Sequence, residues 1–376
     1  MPEAQPVTQR YREAEEAVES LPDPLVREPY PAIYNHVEQI MKYSGAKVFK
    51  YAALQILSPY APKLTYAGEN KRISINVLLI GNSGSGKTEL MTKAREFSPL
   101  DKYKWIQKQT DKALQELVAQ SDEGVELIIN DMKTVMGDSK LLKTYESVIA
   151  EGIVKRDTAR GTIDEDDVRA AMIGGAVPDD ISNQIYGGLI FRVVPIEIEY
   201  DSEQQKEIGE HITQNVASRS RNGVTNDDIS EFYDIIFSMI HGRFRDYPPI
   251  RGYEFEDDHR DRIQRGWNTA IDELQFLDSN VNLFRQLWDG FRFAALHALL
   301  NVHNRNIQKD VNEDGKEIGR IKLTDKDAMV GNVLMMREMD VLDGFLEDEN
   351  IRDQLEELEA FKASGRYGLE GIDREP

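Results

Sequence analysis

The octapeptide GNSGSGKT at residues 81–88 limits the possible folds of this chain more than any other feature. It follows the apolar run INVLLI at residues 75–80, and a helical pattern begins at about Lys87. A buried strand, a glycine-rich turn and a helix, with the pattern G-x-x-x-x-G-K-[ST], are typical of a phosphate-binding loop. Short apolar strands alternate with helices up to about residue 200, so we predict an α/β fold with a mainly parallel sheet.

Each part of this loop suits a nucleoside triphosphate. Glycines let consecutive backbone N–H groups point at phosphate oxygens, and the helix N-terminus adds a partial positive charge. Lys87 would reach the β- and γ-phosphates, and the Thr88 hydroxyl would hold Mg²⁺. We therefore expect ATP and Mg²⁺ as ligands, and we predict that the nucleotide-binding residues are Gly81, Asn82, Ser83, Gly84, Ser85, Gly86, Lys87, Thr88 and Glu89.

A second magnesium ligand is expected at the end of an adjacent strand. The segment VELIIND at residues 125–131 supplies Asp131 at that position. Two registers remain open: either Asp131 is the metal-binding acid, or Asn130 takes that place and Asp131 orients the attacking water. Glu126 and Glu151 are further candidates for the base.

The pattern along the chain predicts four segments. These are a helical extension at 1–30, the α/β core at 31–213, an all-helical C-terminal lid at 225–345 and a mobile tail at 363–376. The polar stretch QNVASRSRNGVTN at 214–226 is the predicted boundary between core and lid.

Composition excludes several classes of protein. The chain has no cysteine, which rules out disulfide scaffolds, thiolate zinc sites and cysteine nucleophiles. No apolar run approaches the roughly 18 residues that a membrane helix needs, and the charged N-terminal segment does not resemble a secretion signal. We therefore expect a cytoplasmic protein that does not bind membranes. The net charge of −21 means that any DNA contact must come from a local basic patch.

Several segments together resemble the AAA+ ATPase core of the minichromosome maintenance (MCM) helicases. The phosphate-binding segment KRISINVLLIGNSGSGKTEL is the most specific of them. The others follow in the same order as in that family: GVELIINDMKTV, LLKTYESVIAEGIVKRDTARG, YGGLIFRVVPIEIEYD, FRFAALHALLNVHNRN and IKLTDKDAMVGNVLMMREM. A plasmid- or virus-type replication ATPase with such a core fits this resemblance as well as a chromosomal helicase does.

The resemblance implies roles for several charged residues. Arg192 would be the arginine finger that reaches the nucleotide of a neighbouring subunit, so the chain would form a ring, as a hexamer. Arg292, at the start of its helix, would be the sensor-2 residue, with Arg305 as the weaker alternative. A hairpin at 152–168 would contact DNA phosphates through three basic side chains, Lys155, Arg156 and Arg160. The expected function is an ATP-dependent DNA motor, helicase-like and linked to replication.

The resemblance also has departures and rivals. The sensor-1 Asn expected after the fourth strand is absent from GGAVPDD at 174–180, and the acidic pair at Asp131 is altered. These departures affect residues needed for hydrolysis, whereas the residues expected to bind the nucleotide are all present. A protein-remodelling AAA+ ATPase and a nucleotide-switched assembly protein with little hydrolysis remain as alternatives.

Two further patterns have ordinary structural interpretations. The segment DKYKWIQK at 101–108 interleaves lysines with aromatic residues that could stack on bases, but packing of an amphipathic helix is the favoured interpretation. The segment DVNEDG at 310–315 matches half of a calcium loop, yet Ile321 stands where the bidentate Glu is needed, so Asp314-Gly315 reads as a hairpin turn between helices.

Overall fold

The structure is a computed structural model of the chain. It describes residues 53–66, 69–99, 103–106, 110–121, 124–158, 161–165, 168–178, 181, 192–217, 226–242, 248–274, 283–302 and 305–345. The predicted N-terminal extension at 1–30 and the predicted tail at 363–376 lie outside these residues. Within them, no helix has both the length and the apolarity that a bilayer crossing requires.

The first part of the described chain alternates strands and helices. The strands are β1 (Leu64–Tyr66), β2 (Glu69–Lys71), β3 (Val77–Ile80), β4 (Tyr103–Ile106), β5 (Val125–Ile129), β6 (Val154–Thr158), β7 (Gly161–Glu165), β8 (Ala170–Ala176) and β9 (Val194–Glu197). The helices are α1 (Lys87–Phe97), α2 (Asp111–Ala119), α3 (Lys133–Met136), α4 (Ser139–Glu146) and α5 (Ser202–Ala217). Helix α4 continues directly as a π-helical segment, Ser147–Glu151.

Five of these strands form one parallel sheet in the order β4-β5-β8-β3-β9. Strands β3 and β5 are buried along their whole length, because helices cover both faces of a parallel sheet. The predicted α/β fold is confirmed, and so are the strands predicted before the phosphate-binding loop (β3) and before Asp131 (β5). One expectation is corrected: β8 lies between β5 and β3, so the strand that leads to Asp131 is not adjacent to the strand before the phosphate-binding loop.

Parallel strands place all their ends at two edges of the sheet. At the carboxyl edge lie the loop at 81–86, Asn130 and the residues that follow β8 and β9. At the amino edge lie Asn76 and Arg192, which precede β3 and β9. These two edges are the reference frame for the functional residues.

Apolar side chains fill both faces of the sheet. Alternate residues of β3 point to opposite sides, so Val77 and Leu79 join one buried cluster while Leu78 and Ile80 join the other. The first cluster packs against α1 and the C-terminal part of the chain, and the second packs against α2 and α4. Burial on both faces holds the phosphate-binding loop on a rigid support.

The segment 101–108 does not form the predicted amphipathic helix. Residues 103–106 form β4, the strand at one end of the sheet, and they pair in parallel with β5. Lys104 is exposed there, and a lysine on an edge strand discourages pairing with another chain. The helix interpretation failed because the segment is too short to separate a helical period from an alternating one.

The C-terminal part of the described chain is not wholly helical, which corrects the predicted all-helical lid. The helices are α6 (Asn226–Ile240), α7 (Asp257–Glu273), α8 (Phe284–Leu300) and α9 (Asp325–Phe345). Three strands, β10 (Ile250–Glu254), β11 (Ile307–Val311) and β12 (Glu317–Lys322), form a sheet in the order β10-β12-β11. The polar strand β11 is mostly exposed, so it has no apolar alternation from which it could be predicted.

The turn at Asp314-Gly315 lies between β11 and β12 rather than between helices. The backbone N–H of Gly315 donates to the carbonyl of Asn312 at 2.9 Å, which closes the turn. The half calcium motif is therefore part of a β-hairpin. No group of three or more His, Asp or Glu side chains suited to a metal ion occurs in the part of the chain that the structure describes.

Candidate functional site

The phosphate-binding loop connects the carboxyl end of β3 to the first residue of α1. Gly84 and Gly86 adopt φ of +87° and +86°, a left-handed conformation that residues with a Cβ rarely take. Gly86 is the N-cap of α1 and no side chain caps the helix. The N–H groups of the first turn are therefore free of side-chain caps, and they point into the loop where an anion can bind.

The ammonium of Lys87 lies inside the loop. It donates to the carbonyl of Gly81, to the carbonyl of Asn82 at 2.9 Å and to Ser85 Oγ at 3.4 Å. Partial burial lowers the pKa of Lys87 from its ordinary value. A positive charge and several backbone N–H groups thus face the same small volume, as binding of a polyphosphate requires.

The hydroxyl of Thr88 contacts Asn130 rather than Asp131. Thr88 Oγ1 donates to Asn130 Oδ1 at 3.3 Å, across the interposed strand β8. Asp131 Oδ1 accepts from the backbone N–H of Lys133 at 3.0 Å, and its carbonyl accepts from Thr134 Oγ1 at 2.8 Å. Asp131 is exposed beside this contact and stabilises the start of α3.

Two glycines in β8 let the chain after β5 cross towards the loop. A Cβ at Gly175 would lie 3.0 Å from the carbonyl of Asn130, and one at Gly174 would lie 2.7 Å from Met132 Sδ. The backbone N–H of Met132 also donates to the carbonyl of Gly175 at 2.8 Å. The close approach over β8 is what brings Asn130 within reach of Thr88.

The other two candidates for the base lie away from the loop. Glu126 is the second residue of β5 and fully buried, and burial raises its pKa to about 8. It has no route to a nucleotide at the carboxyl edge. Glu151 ends the π-helical segment that leads to the hairpin β6–β7. Neither position supports the role that the sequence left open for it.

A cavity of about 870 Å³ adjoins the loop on its outer side. Residues 82–86 and Glu89 form one wall, and residues that follow β9 form the other: Ile198, Glu199, Tyr200, Gln205 and Ile208. Sequence reasoning missed this second wall, because no motif marks it. It is near the loop only because β9 pairs with β3 in the sheet.

Arg192 lies at the amino edge, at the opposite end of the sheet from the phosphate-binding loop of its own chain. Its Nη1 pairs with Glu146 Oε1 at 3.1 Å, and about a third of its side chain is exposed (32%). Its carbonyl accepts from Arg285 Nη2 at 2.8 Å. Arg192 therefore cannot serve the loop of its own subunit without a large movement, but it can face another molecule.

The structure corrects the position of the sensor-2 candidate. Helix α8 begins at Phe284, so Arg292 lies in its middle and pairs with Asp289 at 2.5 Å. The arginine at the helix start is Arg285, which the sequence analysis missed because the resembling segment that it used, FRFAALHALLNVHNRN, begins at Phe291. Burial is the largest effect on Arg285 and lowers its pKa.

The alternative sensor-2 candidate, Arg305, has a structural role. Its Nη2 donates to Asp327 Oδ1 at 2.7 Å, and Thr324 Oγ1 donates to Asp327 Oδ2 at 2.8 Å. Burial would raise the pKa of Asp327, but hydrogen bonds and charge from His297 and Arg305 outweigh it and hold the pKa well below its usual range. Asp327 Oδ2 also accepts from the backbone N–H of Thr324 at 2.8 Å, so the carboxylate satisfies a backbone donor just before α9.

The predicted hairpin at 152–168 is confirmed as β6 and β7, which pair antiparallel. Lys155 and Arg156 lie on β6, and Arg160 lies outside the described residues, in the connection between the two strands. The hairpin leaves the core at the amino edge, because β8 begins directly after it.

Part of the chain matches a known protein family. The family model of the MCM P-loop domain matches residues 28–145, which include the phosphate-binding loop, β5 and most of α4. No curated protein matches the chain. The matched segment is therefore similar to the P-loop core of MCM proteins, and the similarity indicates an ATP-dependent, helicase-like P-loop class for it.

Proposed function

We propose that this chain is an ATPase that assembles into a ring, as a hexamer, and moves on DNA as a helicase-like or DNA-remodelling motor in replication. The observation that carries the proposal is the separation of two sites. The phosphate-binding loop lies at the carboxyl edge of the sheet, and Arg192 lies at the amino edge. The loop of one subunit would bind the nucleotide, and Arg192 of a second subunit would complete the site.

The loop would bind ATP through its backbone N–H groups and Lys87. Oxygen donors suit Mg²⁺, and Thr88 Oγ1 and Asn130 Oδ1 lie side by side at 3.3 Å. These two residues would hold the metal, which supplies charge neutralisation on the phosphates when bound. Their contact supports the register in which Asn130 takes the metal position and Asp131 orients the attacking water.

Arg192 would act on the nucleotide of the next subunit. An arginine supplied in trans stabilises the charge that develops on the transferred phosphoryl group. Contacts between the loop face of one copy and the arginine face of the next are head to tail, and such contacts form a ring when the rotation between subunits closes. The core at 31–213 and the C-terminal segment at 225–345 would form one such subunit.

The hairpin β6–β7 would contact DNA. Its basic residues are Lys155, Arg156 and Arg160, in a chain whose net charge is −21, and they lie among the acidic residues Asp157, Asp164 and Glu165. Contacts of lysine and arginine to phosphates are independent of base sequence, as a translocating motor requires. We therefore expect binding to DNA of any sequence, weakened by salt.

One observation favours a second function, a nucleotide-switched assembly protein with little hydrolysis. The neutral Asn130 lies beside Thr88, where a carboxylate would bind Mg²⁺ more strongly. A protein with this site would bind ATP and change its assembly, but turn over slowly.

Steady-state ATPase activity with and without single-stranded DNA tests the proposal. We expect DNA to stimulate turnover, and we expect Lys87→Ala to abolish nucleotide binding, while Lys112→Ala on the exposed face of α2 retains it. Binding without turnover would favour the switch, and stimulation by unfolded protein alone would favour a protein remodeller. Images of the particle with nucleotide would reveal whether a ring forms.

A further inference from the structure

Helix α8 buries polar side chains and leaves large apolar ones uncovered. Gln286 and Asp289 are only 0% and 3% exposed, whereas Phe284 at the start of the helix is 60% exposed. Residues three, four and seven positions apart share one face of a helix. The face opposite Gln286 and Asp289 is an apolar stripe of four residues, none of them buried: Phe284, Leu287, Trp288 and Phe291. An open apolar stripe of this kind is typical of a binding surface.

The stripe forms one wall of a cavity of about 1000 Å³, which we call the aromatic groove. The remaining walls come from β1, the end of β10, α7 and β12: Leu64, Thr65, residues 253–255, Arg260, Asp261, Gln264 and Arg320. None of these residues lines the cavity beside the phosphate-binding loop. The volume lies at the upper end of the range for small-molecule sites, so it suits several residues of a peptide better than a small metabolite.

The aromatic side chains of the groove are held by one another. The ring of Phe291 meets Phe255 edge to face, with centroids 5.6 Å apart, and lies 6.0 Å from the ring of Trp288. Phe284 stacks on Trp267 at 5.7 Å. Aromatic faces attract other rings and also cations. The groove therefore offers a preformed surface for an apolar side chain or for an ammonium or guanidinium group.

The two arginines of the groove already have anionic partners outside it. Arg260 pairs with Asp257, and Arg320 Nε pairs with Asp310 Oδ2 at 2.9 Å. Neither of these aspartates lines the groove. The arginines therefore do not require an anionic ligand to balance their charge.

The carboxylates of the groove are less well paired. Asp261 makes no ion pair through its carboxylate with any residue that the structure describes, and Glu254 Oε2 is buried with no hydrogen-bond partner there. Lys322 attracts Glu254 from a distance, but its ammonium pairs with Glu256 Oε1 at 2.7 Å. The uncompensated charge of the groove is therefore negative, which favours a positively charged ligand.

Tyr253 adds a polar group that suits a peptide backbone. Its side chain is 8% exposed, and its hydroxyl is buried without a hydrogen-bond partner in the described part of the chain. Burial raises the pKa of Tyr253 well above its usual value, so the hydroxyl keeps its proton at neutral pH and remains a donor. A buried donor without an acceptor is destabilising, and a ligand carbonyl would remove that cost.

We propose that the aromatic groove binds a peptide segment of a partner protein that carries an aromatic or large aliphatic side chain beside a lysine or arginine. The apolar side chain packs on the stripe of α8. The cation lies against Asp261, Glu254 and the aromatic faces, and a backbone carbonyl accepts from Tyr253. A polyanion such as DNA would instead meet uncompensated carboxylates. The proposal does not depend on the nucleotide site.

Synthetic peptides test this proposal on the full chain. The probe is a labelled peptide of sequence Gly-Lys-Trp-Lys-Gly with blocked ends, and its binding is followed by fluorescence anisotropy. Two matched peptides replace the tryptophan by alanine or both lysines by glutamate. Asp261→Lys is compared with Asp272→Lys, an exposed position on the same helix outside the groove. Phe284→Ala is compared with Val311→Ala, a 62% exposed apolar residue elsewhere.

We expect the lysine–tryptophan peptide to bind with Kd of about 10–100 μM, and each matched peptide to bind about tenfold more weakly. Asp261→Lys should weaken binding about tenfold, because it replaces an attraction by a repulsion. Phe284→Ala should weaken it about fivefold through loss of aromatic contact. Asp272→Lys and Val311→Ala should retain the unmodified affinity. Thermal unfolding of all four variants verifies that they are folded.

Several results would overturn the proposal. One is a lysine–tryptophan peptide that does not bind below about 1 mM, and another is a glutamate–tryptophan peptide that binds as tightly. Equal affinities in Asp261→Lys and Asp272→Lys would have the same meaning. Displacement of the peptide by oligothymidylate would indicate a nucleic-acid site. Self-association that is lost in Phe284→Ala and kept in Val311→Ala would show that a second copy of the chain covers the groove.

Discussion

The two edges of the central sheet carry sites that are built in different ways. At the carboxyl edge, eight consecutive residues form the phosphate-binding loop, and most of its binding groups are backbone N–H donors. At the amino edge, Arg192 is held by residues that are 46, 93 and 116 positions away in sequence. The first site is local and made by the backbone, while the second is assembled by side chains from separate elements.

The two sites differ in how readily they can respond to a partner. The glycine-rich loop follows a buried strand and its backbone N–H groups belong to one short segment, so we expect it to bind phosphate with little change in the rest of the fold. A partly exposed ion pair is worth little by itself and can be exchanged for a stronger one. We therefore expect residues at the carboxyl edge to determine whether ATP binds, and residues at the amino edge to determine the events that follow binding.

The sharpest test of the comparison is Arg192→Ala. We expect turnover to fall by about 10³-fold or more with nucleotide affinity unchanged, because an arginine supplied in trans acts on the transition state. Single-turnover hydrolysis and equilibrium binding of a fluorescent nucleotide separate the two effects. Rings mixed from Arg192→Ala and Lys87→Ala subunits should regain part of the activity, since some interfaces then have both residues. A loss of affinity in Arg192→Ala alone would count against a trans role.

Glu126 lies at neither edge, and its charge should affect stability rather than binding. Burial raises its pKa to about 8, so the folded state keeps a proton that the unfolded chain releases near pH 4.5. The resulting stabilisation is complete below pH 4.5 and is lost as the pH rises through 8. At about 1.4 kcal/mol per pH unit, the wild type should lose a few kcal/mol between pH 5 and pH 8 from this group.

Urea denaturation at pH 5 and pH 8 measures this loss. Glu126→Gln keeps the shape of the side chain without its charge, so its stability should change much less with pH. Nucleotide affinity should stay the same in both proteins at each pH. Equal slopes for the variant and the wild type would mean that another group controls the pH dependence.

The metal position can be changed by one substitution at the carboxyl edge. Asn130→Asp adds a carboxylate beside Thr88, so we expect the apparent affinity for Mg²⁺ to rise about tenfold, or about 1.4 kcal/mol. Asp131→Asn separates the two registers. It should lower turnover with Mg²⁺ affinity kept if Asp131 orients the water, and it should lower the affinity itself if Asp131 is the metal ligand. Titration of Mg²⁺ against nucleotide binding and turnover measures both.

The sequence predicted the carboxyl edge better because its information is contiguous. The loop, β3, β5 and α1 were all predicted, since each has its own apolar run or motif within a few residues. Sequence alone left open which of Asn130 and Asp131 takes the metal position. Their roles depend on how the chain crosses β8, and that crossing requires two glycines which lie more than 40 residues further on.

The amino edge and the C-terminal sheet were predicted less well. The pairing of Arg192 with Glu146 has no local signature, because it joins α4 to the residues before β9. Arg292 was taken for the helix-start arginine because the segment that resembles the family begins at Phe291, seven residues after the first residue of α8. The strands β10 to β12 are short and partly exposed, so only their pairing with one another identifies them.

The smallest expected effect comes from replacing two glycines that have similar backbone conformations, one in the phosphate-binding loop and one in the β11–β12 turn. Gly84 in the loop has φ of +87° and Gly315 in the β11–β12 turn has φ of +75°, and a Cβ at either position meets no other atom within 4 Å. Alanine at each should therefore cost about 1 kcal/mol, from backbone strain alone. Thermal unfolding should give similar losses for Gly84→Ala and Gly315→Ala. Nucleotide affinity should fall by about fivefold only in Gly84→Ala, because returning the relaxed loop to the left-handed φ that phosphate binding requires costs about 1 kcal/mol. Equal affinities in the two variants would mean that the loop backbone does not bind the phosphates.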